Sequence, residues 1–303
     1  MNVRFFFGRV FRWLGKKEFL NFVSDNIYLN MSYFLLMGKN LNLSNPRSLN
    51  QKINWLKLYD RKKEYIDMVD KYNAKEYIAR VIGKDYVIPT LGVWDDALDI
   101  DFGSLPNKFV LKCTHDYGST IICKDKRSVS IESIRRKLAK CLKRNYFWLG
   151  REWAYKGIKP RIIAEQYIED TEIKDLIDYK FYCFGDVVDC VLVCIGRDSG
   201  NTKFYFFDRD WNLKRYNKLG QEAPVGFTLP RPKNIDKMFE IAKKLSVVSG
   251  AQFLRVDLYN VNGKIYFGEL TFYPDCGMDI NRLPEADEYF GSLVDLSKVR
   301  KAN

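Results

Sequence analysis

A chain of 303 residues that is 47% apolar and 15% aromatic can bury one large core or two ordinary ones, which excludes a disordered protein. Seven cysteines, an odd number with no Cys-x-x-Cys pair, argue against a disulfide scaffold or zinc knuckle and imply reduced thiols in a cytoplasmic compartment. A net charge of +12 asks for acidic partners such as a nucleotide, an anionic glycan or a lipid surface; nucleic acid fits worst, because no zinc-finger, RNA-recognition or helix-turn-helix pattern surrounds the basic residues.

Residues 1–17 mix Phe5, Phe6, Phe7, Phe11 and Trp13 with Arg4, Arg9, Arg12, Lys16 and Lys17. That pattern suits either peripheral contact with an anionic membrane interface or an aromatic helix docked on the body. No run approaches the roughly 20 apolar residues that span a bilayer. Residues 25–43 read as a helix ending near Gly38, and Ser48 can cap a second helix carrying Ile53, Leu56 and Tyr59 at helical spacing. One helix is predicted over 63–82, stopping at Gly83, with Tyr65, Met68, Val69, Tyr72 and Ile78 inward. Lys71 and Lys75 fall on its polar side, where a solvated face is the plain reading.

A β-run over 108–114 leads through His115, Gly118, Ser119 and Thr120 into a second run, 121–123. A strand lysine, Lys112, before a glycine-containing loop makes a phosphate cradle, although the spacing is neither a P-loop nor a dinucleotide fingerprint and many hairpins look alike. His115, the one histidine, has no nucleophile near it in sequence and reads as orienting its loop. A basic amphipathic helix follows over 130–145, then a Trp/Tyr-rich link containing Trp148 and Trp153, aromatics that suit sugars or a core equally. The rest is rich in strands, at 161–168, 179–184, 187–195, 204–208 and 213–216, before a helix capped by Asn234. Cys190 and Cys194 lie on an apolar strand and read as small buried hydrophobes.

Residues 255–274 read as a hairpin around Asn262-Gly263. A three-residue loop, 262–264, sets Asp257 opposite Glu269 and Arg255 opposite Thr271, with Val256, Leu258, Tyr266 and Leu270 on the core face; a two-residue loop would separate the acids. Two carboxylates and a hydroxyl on one face suit Mg²⁺ and the phosphates it holds, with Arg255 beside them. An exposed hairpin carrying an Arg-Asp ion pair remains the alternative.

Taken in order, Asn45-Pro-Arg-Ser-Leu-Asn-Gln-Lys-Ile-Asn-Trp, Asp70-Lys-Tyr, Phe109-Val-Leu-Lys, Asp178-Tyr-Lys-Phe-Tyr-Cys-Phe, Thr228-Leu-Pro-Arg-Pro-Lys-Asn, Arg255-Val-Asp-Leu-Tyr and Phe267-Gly-Glu-Leu-Thr-Phe-Tyr-Pro resemble the ATP-grasp superfamily, in its TupA-like (teichuronopeptide biosynthesis) branch. The resemblance implies an α+β fold, two lobes clamping ATP after a helical N-terminal region. It divides the chain into a basic aromatic segment (1–45), a helical segment (46–106), a first lobe with the phosphate loop (107–168), a second lobe with the metal site (169–296) and a tail (297–303). It implies Lys71, Lys112, Gly118 and Ser119 at the phosphates. Glu165, Gln166, Tyr167 and Ile168 become the adenine hinge, met largely through the backbone of Gln166 and Ile168, and Glu172 a ribose ligand. Lys180 and Arg255 approach the terminal phosphate, and Asp257, Glu269 and Thr271 hold Mg²⁺. Thr271 stands where the wider superfamily usually has Asn, and Lys75, where the branch more often has Arg, receives no role.

The activity so implied is an ATP- and Mg²⁺-dependent carboxylate-amine ligase that joins an amino acid to a uronic acid of a surface polysaccharide through an acyl phosphate. A kinase of a sugar or lipid hydroxyl on the same fold, and a non-catalytic protein binding anionic glycan or membrane, remain as alternatives. Product analysis separates the first two, and calorimetry with Mg-ATP separates the third.

Overall fold

The structure, a computed structural model, describes residues 3–171, 176–197 and 199–299. Helices α1 (Val3–Lys16), α2 (Asp25–Met37), α3 (Leu49–Tyr59), α4 (Glu64–Val69) and α5 (Asn73–Val81) lead the chain. Ser24 and Ser48 cap α2 and α3, each hydroxyl accepting from an N–H three residues on. α1 lies directly on α2 through two glycines: a Cβ on Gly8 would come within 2.8 Å of Leu36, and one on Gly15 within 2.2 Å of Tyr28. The single helix predicted over 63–82 is two. Asp70 is extended (ψ 116°), which stops α4, and its carboxylate accepts from the N–H groups of Tyr72 (2.8 Å) and Asn73 (3.1 Å), which starts α5. Tyr72, expected inward, is 39% exposed beneath the Arg161 guanidinium, and the break swings Lys71 out of helical register.

Strands β1 (Thr90–Trp94), β2 (Phe109–Cys113), β3 (Ile121–Cys123) and β4 (Ile162–Gln166) form an antiparallel sheet in the order β1-β4-β2-β3. β1 was not foreseen and pairs with β4 at the edge of this sheet; Pro89 and Gly92 mask the strand, which Pro and Gly can border or enter only at an edge or bulge. Helix α6 (Ile131–Leu142) covers one face, its Ile134 and Leu138 packing in one core with Phe109, Leu111 and Ile162. Lys112, of opposite parity, points away from that core.

The second sheet holds β5 (Asp178–Phe184), β6 (Val187–Ile195), β7 (Lys203–Phe207), β8 (Leu213–Lys214), β9 (Leu254–Val261) and β10 (Lys264–Thr271), all antiparallel, ordered β10-β9-β5-β6-β7-β8. Short helices α7 (Phe147–Gly150) and α8 (Lys218–Glu222) sit in connections, while α9 (Ile235–Ser249) and α10 (Pro284–Leu293) are longer. α9 packs on the sheet, Phe239 edge-on to Phe181 at 5.0 Å, and Phe290 of α10 stacks on Tyr182 at 5.5 Å. Cys190 and Cys194 are buried and free, as expected.

The hairpin departs from expectation in an instructive way. Val261 pairs with Lys264, so the loop has two residues, Asn262 (φ 50°) and Gly263 (φ 76°), both left-handed as a type I′ turn requires. A bulge then reverses the parity: Phe267 pairs with Leu258, Gly268 is the extra residue, and Glu269 pairs with Asp257. Arg255 faces Thr271, so the four polar groups share a face although the predicted loop was wrong. The core partner of Leu258 is consequently Phe267, and Tyr266 stands opposite Tyr259 outside the core stripe.

Gly268 is therefore the position to test. A Cβ there would lie 3.0 Å from the Asp257 carbonyl oxygen, a backbone atom that cannot give way cheaply. Gly268→Val should cost about 1–3 kcal/mol in urea unfolding, as overpacked sites do; an unchanged unfolding midpoint would show that the bulge tolerates a side chain.

Candidate active site

The centre of the second sheet carries a tight charge cluster. Asp178 and Lys180 on β5, Arg255 and Asp257 on β9, and Glu269 and Thr271 on β10 alternate onto one face. Asp257, 2% exposed, accepts from Arg255 Nε (2.7 Å) and Nη2 (2.8 Å) and from Lys180 Nζ. Arg255 Nη2 also donates to Glu269 Oε1 and Thr271 Oγ1, each at 3.1 Å. Burial pushes the Asp257 carboxyl up, but Arg255 and Lys180 outweigh it and hold the group below its ordinary 3.8. Burial likewise works against the Arg255 guanidinium, and Asp257 more than reverses it.

Lys71, between α4 and α5, and Lys112 on β2 share a cleft with this cluster. Glu165 on β4 is buried between Lys112 (2.5 Å) and Lys75 (2.7 Å), so its side chain fixes two lysines. Burial raises the Glu165 carboxyl, and the two lysines bring it below 4.5. Lys71 donates to the Asp116 carbonyl at 2.5 Å; burial holds its amine below the ordinary value, and Glu269 of the other lobe offsets only part of this. A cleft of about 1590 Å³ separates the lobes and is lined by Lys71, Lys112, Lys180, Arg255, Asp257 and Glu269 together.

The remaining candidates fall out unevenly. Gly118 is left-handed (φ 88°) with open space around it at the cleft, while Ser119 is buried, its hydroxyl accepting from Cys113 N–H (2.8 Å) and donating to Asp116 (2.5 Å). Ser119 thus shapes the loop through its side chain. Gln166, Tyr167 and Ile168 line the cleft, but the Gln166 N–H is taken by the Pro89 carbonyl at 3.0 Å and is not free for a base. Glu172 lies outside the described residues. His115 is buried with Nε2 3.0 Å from the Arg144 carbonyl, the loop-orienting part expected of it. Trp148 and Trp153 each carry a guanidinium over the ring, Arg151 at 4.3 Å and Arg61 at 5.3 Å.

Three groups escaped the sequence reading. Lys75 had received no role yet is one of the two clamps on Glu165. Asp178 pairs with Lys180 (3.4 Å) and Arg197 (2.5 Å); its i, i+2 spacing to Lys180 was a legible signal, whereas Arg197 follows β6 in a loop without pattern. The segment after β10 turns through three successive left-handed residues, Asp275 (φ 51°), Cys276 (φ 54°) and Gly277 (φ 62°). Two are not glycine, which costs of order 1–3 kcal/mol each. Lys57 Nζ to the Cys276 carbonyl (2.6 Å), Asn54 Nδ2 to the Gly277 carbonyl (2.8 Å) and Arg12 Nη2 to Cys276 Sγ (3.0 Å) hold it there. Lys57 is fully buried, and burial pushes its amine down to about 8.

With two sheets closing on one cleft, the sequence matches the family described as TupA-like ATP-grasp over residues 51–295. The chain belongs to the TupA-like ATP-grasp family. Solved structures with similarity include the ATP-grasp ligase PsnB complexed with minimal precursor, at 11% identity and TM-score 0.43, over 77% of this chain and 62% of that one. D-alanyl-alanine synthetase A from Vibrio cholerae is 12% identical with TM-score 0.43, over 80% and 64%. D-alanine–D-alanine ligase from Bacillus anthracis complexed with ATP is 16% identical with TM-score 0.44, over 85% and 69%. The chain therefore spans less than two thirds of the first two. No curated protein sequence matches it.

The donor chemistry of the ATP-grasp cluster fits a magnesium ion. Asp257, Glu269 and Thr271 offer hard oxygens on one face, and magnesium is commonly held by one or two carboxylates plus phosphate oxygens and water. Among the described residues no three His, Cys, Asp or Glu side chains gather as a cage, so phosphates would have to complete the set.

Asp257 and Glu165 both titrate lower folded than unfolded, so the stability they contribute is complete above 3.8 and 4.5 and is lost as pH falls through the folded values. Asp257→Asn takes the shared carboxylate from Arg255 and Lys180, leaving Arg255, among the described residues, only the carboxylate of Glu269 and Lys180 only that of Asp178, and should cost about 3–5 kcal/mol at neutral pH. Its deficit against wild type should shrink below pH 3.8, as read by urea titrations across the acid range; a deficit independent of pH would mean that the ionised carboxylate contributes nothing.

Proposed function

We propose that this chain is an ATP- and Mg²⁺-dependent carboxylate-amine ligase, joining an amino acid to a uronic acid of a surface polysaccharide. One observation carries the reading: lysines of one lobe and a carboxylate-bearing cation cluster of the other face each other across a single cleft. That arrangement suits phosphoryl transfer, in which positioning and charge stabilisation supply most of the catalysis. Family membership supports the use of ATP, and the net charge of +12 suits an anionic glycan.

In this reading Lys71 and Lys112 grip the phosphates from the first lobe, and the Gly118 loop leaves its backbone free to approach them. Glu165 to Ile168 border the base, with the Ile168 backbone as the available group. Lys180 and Arg255 sit where charge builds on the transferred phosphoryl group. A carboxylate oxygen of the acceptor attacks the γ-phosphorus and the bond to the ADP oxygen breaks. The amine nitrogen then attacks the acyl carbon, phosphate leaves, and the nitrogen gives up a proton. When bound, the metal would be held by Asp257, Glu269 and Thr271 and would supply neutralising charge at the phosphates. No protein nucleophile is needed, consistent with seven buried, free thiols, which also suit a reducing cytoplasm.

With a uronic acid whose carboxylate is ¹⁸O-labelled, an amino acid and ATP, one ¹⁸O should pass into the released phosphate and an amide should form. A stable phosphoester would favour the kinase alternative, and absence of ATP consumption across a panel of uronic and amino acids would sink the reading. Lys180→Met should lower turnover by about 10²–10³-fold, the size of loss when one preorganised charge is removed from a transition state.

A further inference from the structure

Exposed apolar surface is concentrated at one end of the molecule. Of the 22 large apolar side chains left exposed among the described residues, ten fall within residues 3–34. α1 is held to α2 by Gly8 and Gly15, so its opposite face, Val3, Phe6, Phe7 and Val10, is uncovered. The connection to α2 adds Phe19 and Phe22, the latter 85% exposed, and α2 exposes Ile27, Met31 and Phe34 at helical spacing. Exposed apolar side chains gathered on one helix pair mark a docking surface.

Charge identifies the occupant. Residues 3–34 contain five Arg or Lys against Glu18 and Asp25; Asp25 is paired with Arg61 at 2.6 Å and Arg12 is committed to Cys276, which leaves four cations to one acid. Arg9, Lys16 and Lys17 are exposed, Arg9 and Lys16 on the side of the helix that borders the cleft. Cores of protein interfaces are depleted in lysine, whereas aromatic helices edged by Lys and Arg match anionic headgroups over acyl chains. No helix of the described chain is long and apolar enough to cross a membrane, so the pair would lie on the surface.

We propose that α1, its connection and α2 dock on an anionic phospholipid bilayer. Arg9, Arg12, Trp13 and Lys16 of the same helix line the cleft, so docking sets the cleft mouth beside the membrane. Under the ligase reading, and only there, this makes a lipid-linked glycan the acceptor class; docking itself rests on the exposed face alone.

The test is cosedimentation of the full chain with phosphatidylcholine vesicles and with vesicles containing phosphatidylglycerol. Wild type should pellet with the second, less so at high salt, and Phe7→Ser/Phe22→Ser should weaken partitioning roughly tenfold or more, because buried apolar area sets interfacial affinity. Mg-ATP binding and circular dichroism on the same samples separate loss of docking from loss of fold or of the nucleotide site. Wild type remaining in the supernatant with both vesicles would overturn the proposal. So would a salt-insensitive dimer in solution that the double variant dissociates, since a second copy would then cover the face.

Discussion

Asp257 is a carboxylate almost out of reach of water, and a charge in that position is tolerable only when cations with good geometry surround it. Arg255 meets it with two donors and Lys180 with a third, while Glu269 and Thr271 share the rest of Arg255. Replacing such a cluster with apolar residues is often neutral or stabilising, so folding alone gives weak reason to keep it. Its value is the preorganised charge it holds at the floor of a cleft.

The opposite wall follows the same logic with the signs exchanged. Lysines repel one another, and the two that line the cleft are held by anchors behind them: Glu165, shared with Lys75, for Lys112 and the Asp116 carbonyl for Lys71. Asp116 in turn shapes its loop through Ser119. The helices before the first sheet serve the site as well, because α3 and α1 brace the left-handed turn after β10 through Lys57, Asn54 and Arg12.

Much of this was legible in the sequence because the residues concerned lie on regular elements. Parity along β9 and β10 paired Asp257 with Glu269, and the order of short motifs gave the ATP-grasp family and its α+β fold. The loop length was wrong and a bulge compensated for it. Asn-Gly speaks plainly for a type I′ turn, but nothing in Phe-Gly-Glu says that Gly268 leaves the ladder. The break at Asp70 was hidden because helical periodicity continues across it while a side chain caps the new helix. Arg197, Cys276 and the side-chain work of Glu165 depend on contacts distant in sequence, which no local pattern encodes.

The account stands on the two walls gripping one triphosphate. A crystal structure of the protein with a non-hydrolysable ATP analogue and Mg²⁺ tests that most directly. It should show phosphates between Lys71 or Lys112 and Lys180, with a metal on Asp257 and Glu269 and at least one cation withdrawn from Asp257. A nucleotide bound elsewhere, or phosphates in the cleft with Asp257 still closed on Arg255 and Lys180 and no metal beside it, would contradict the account.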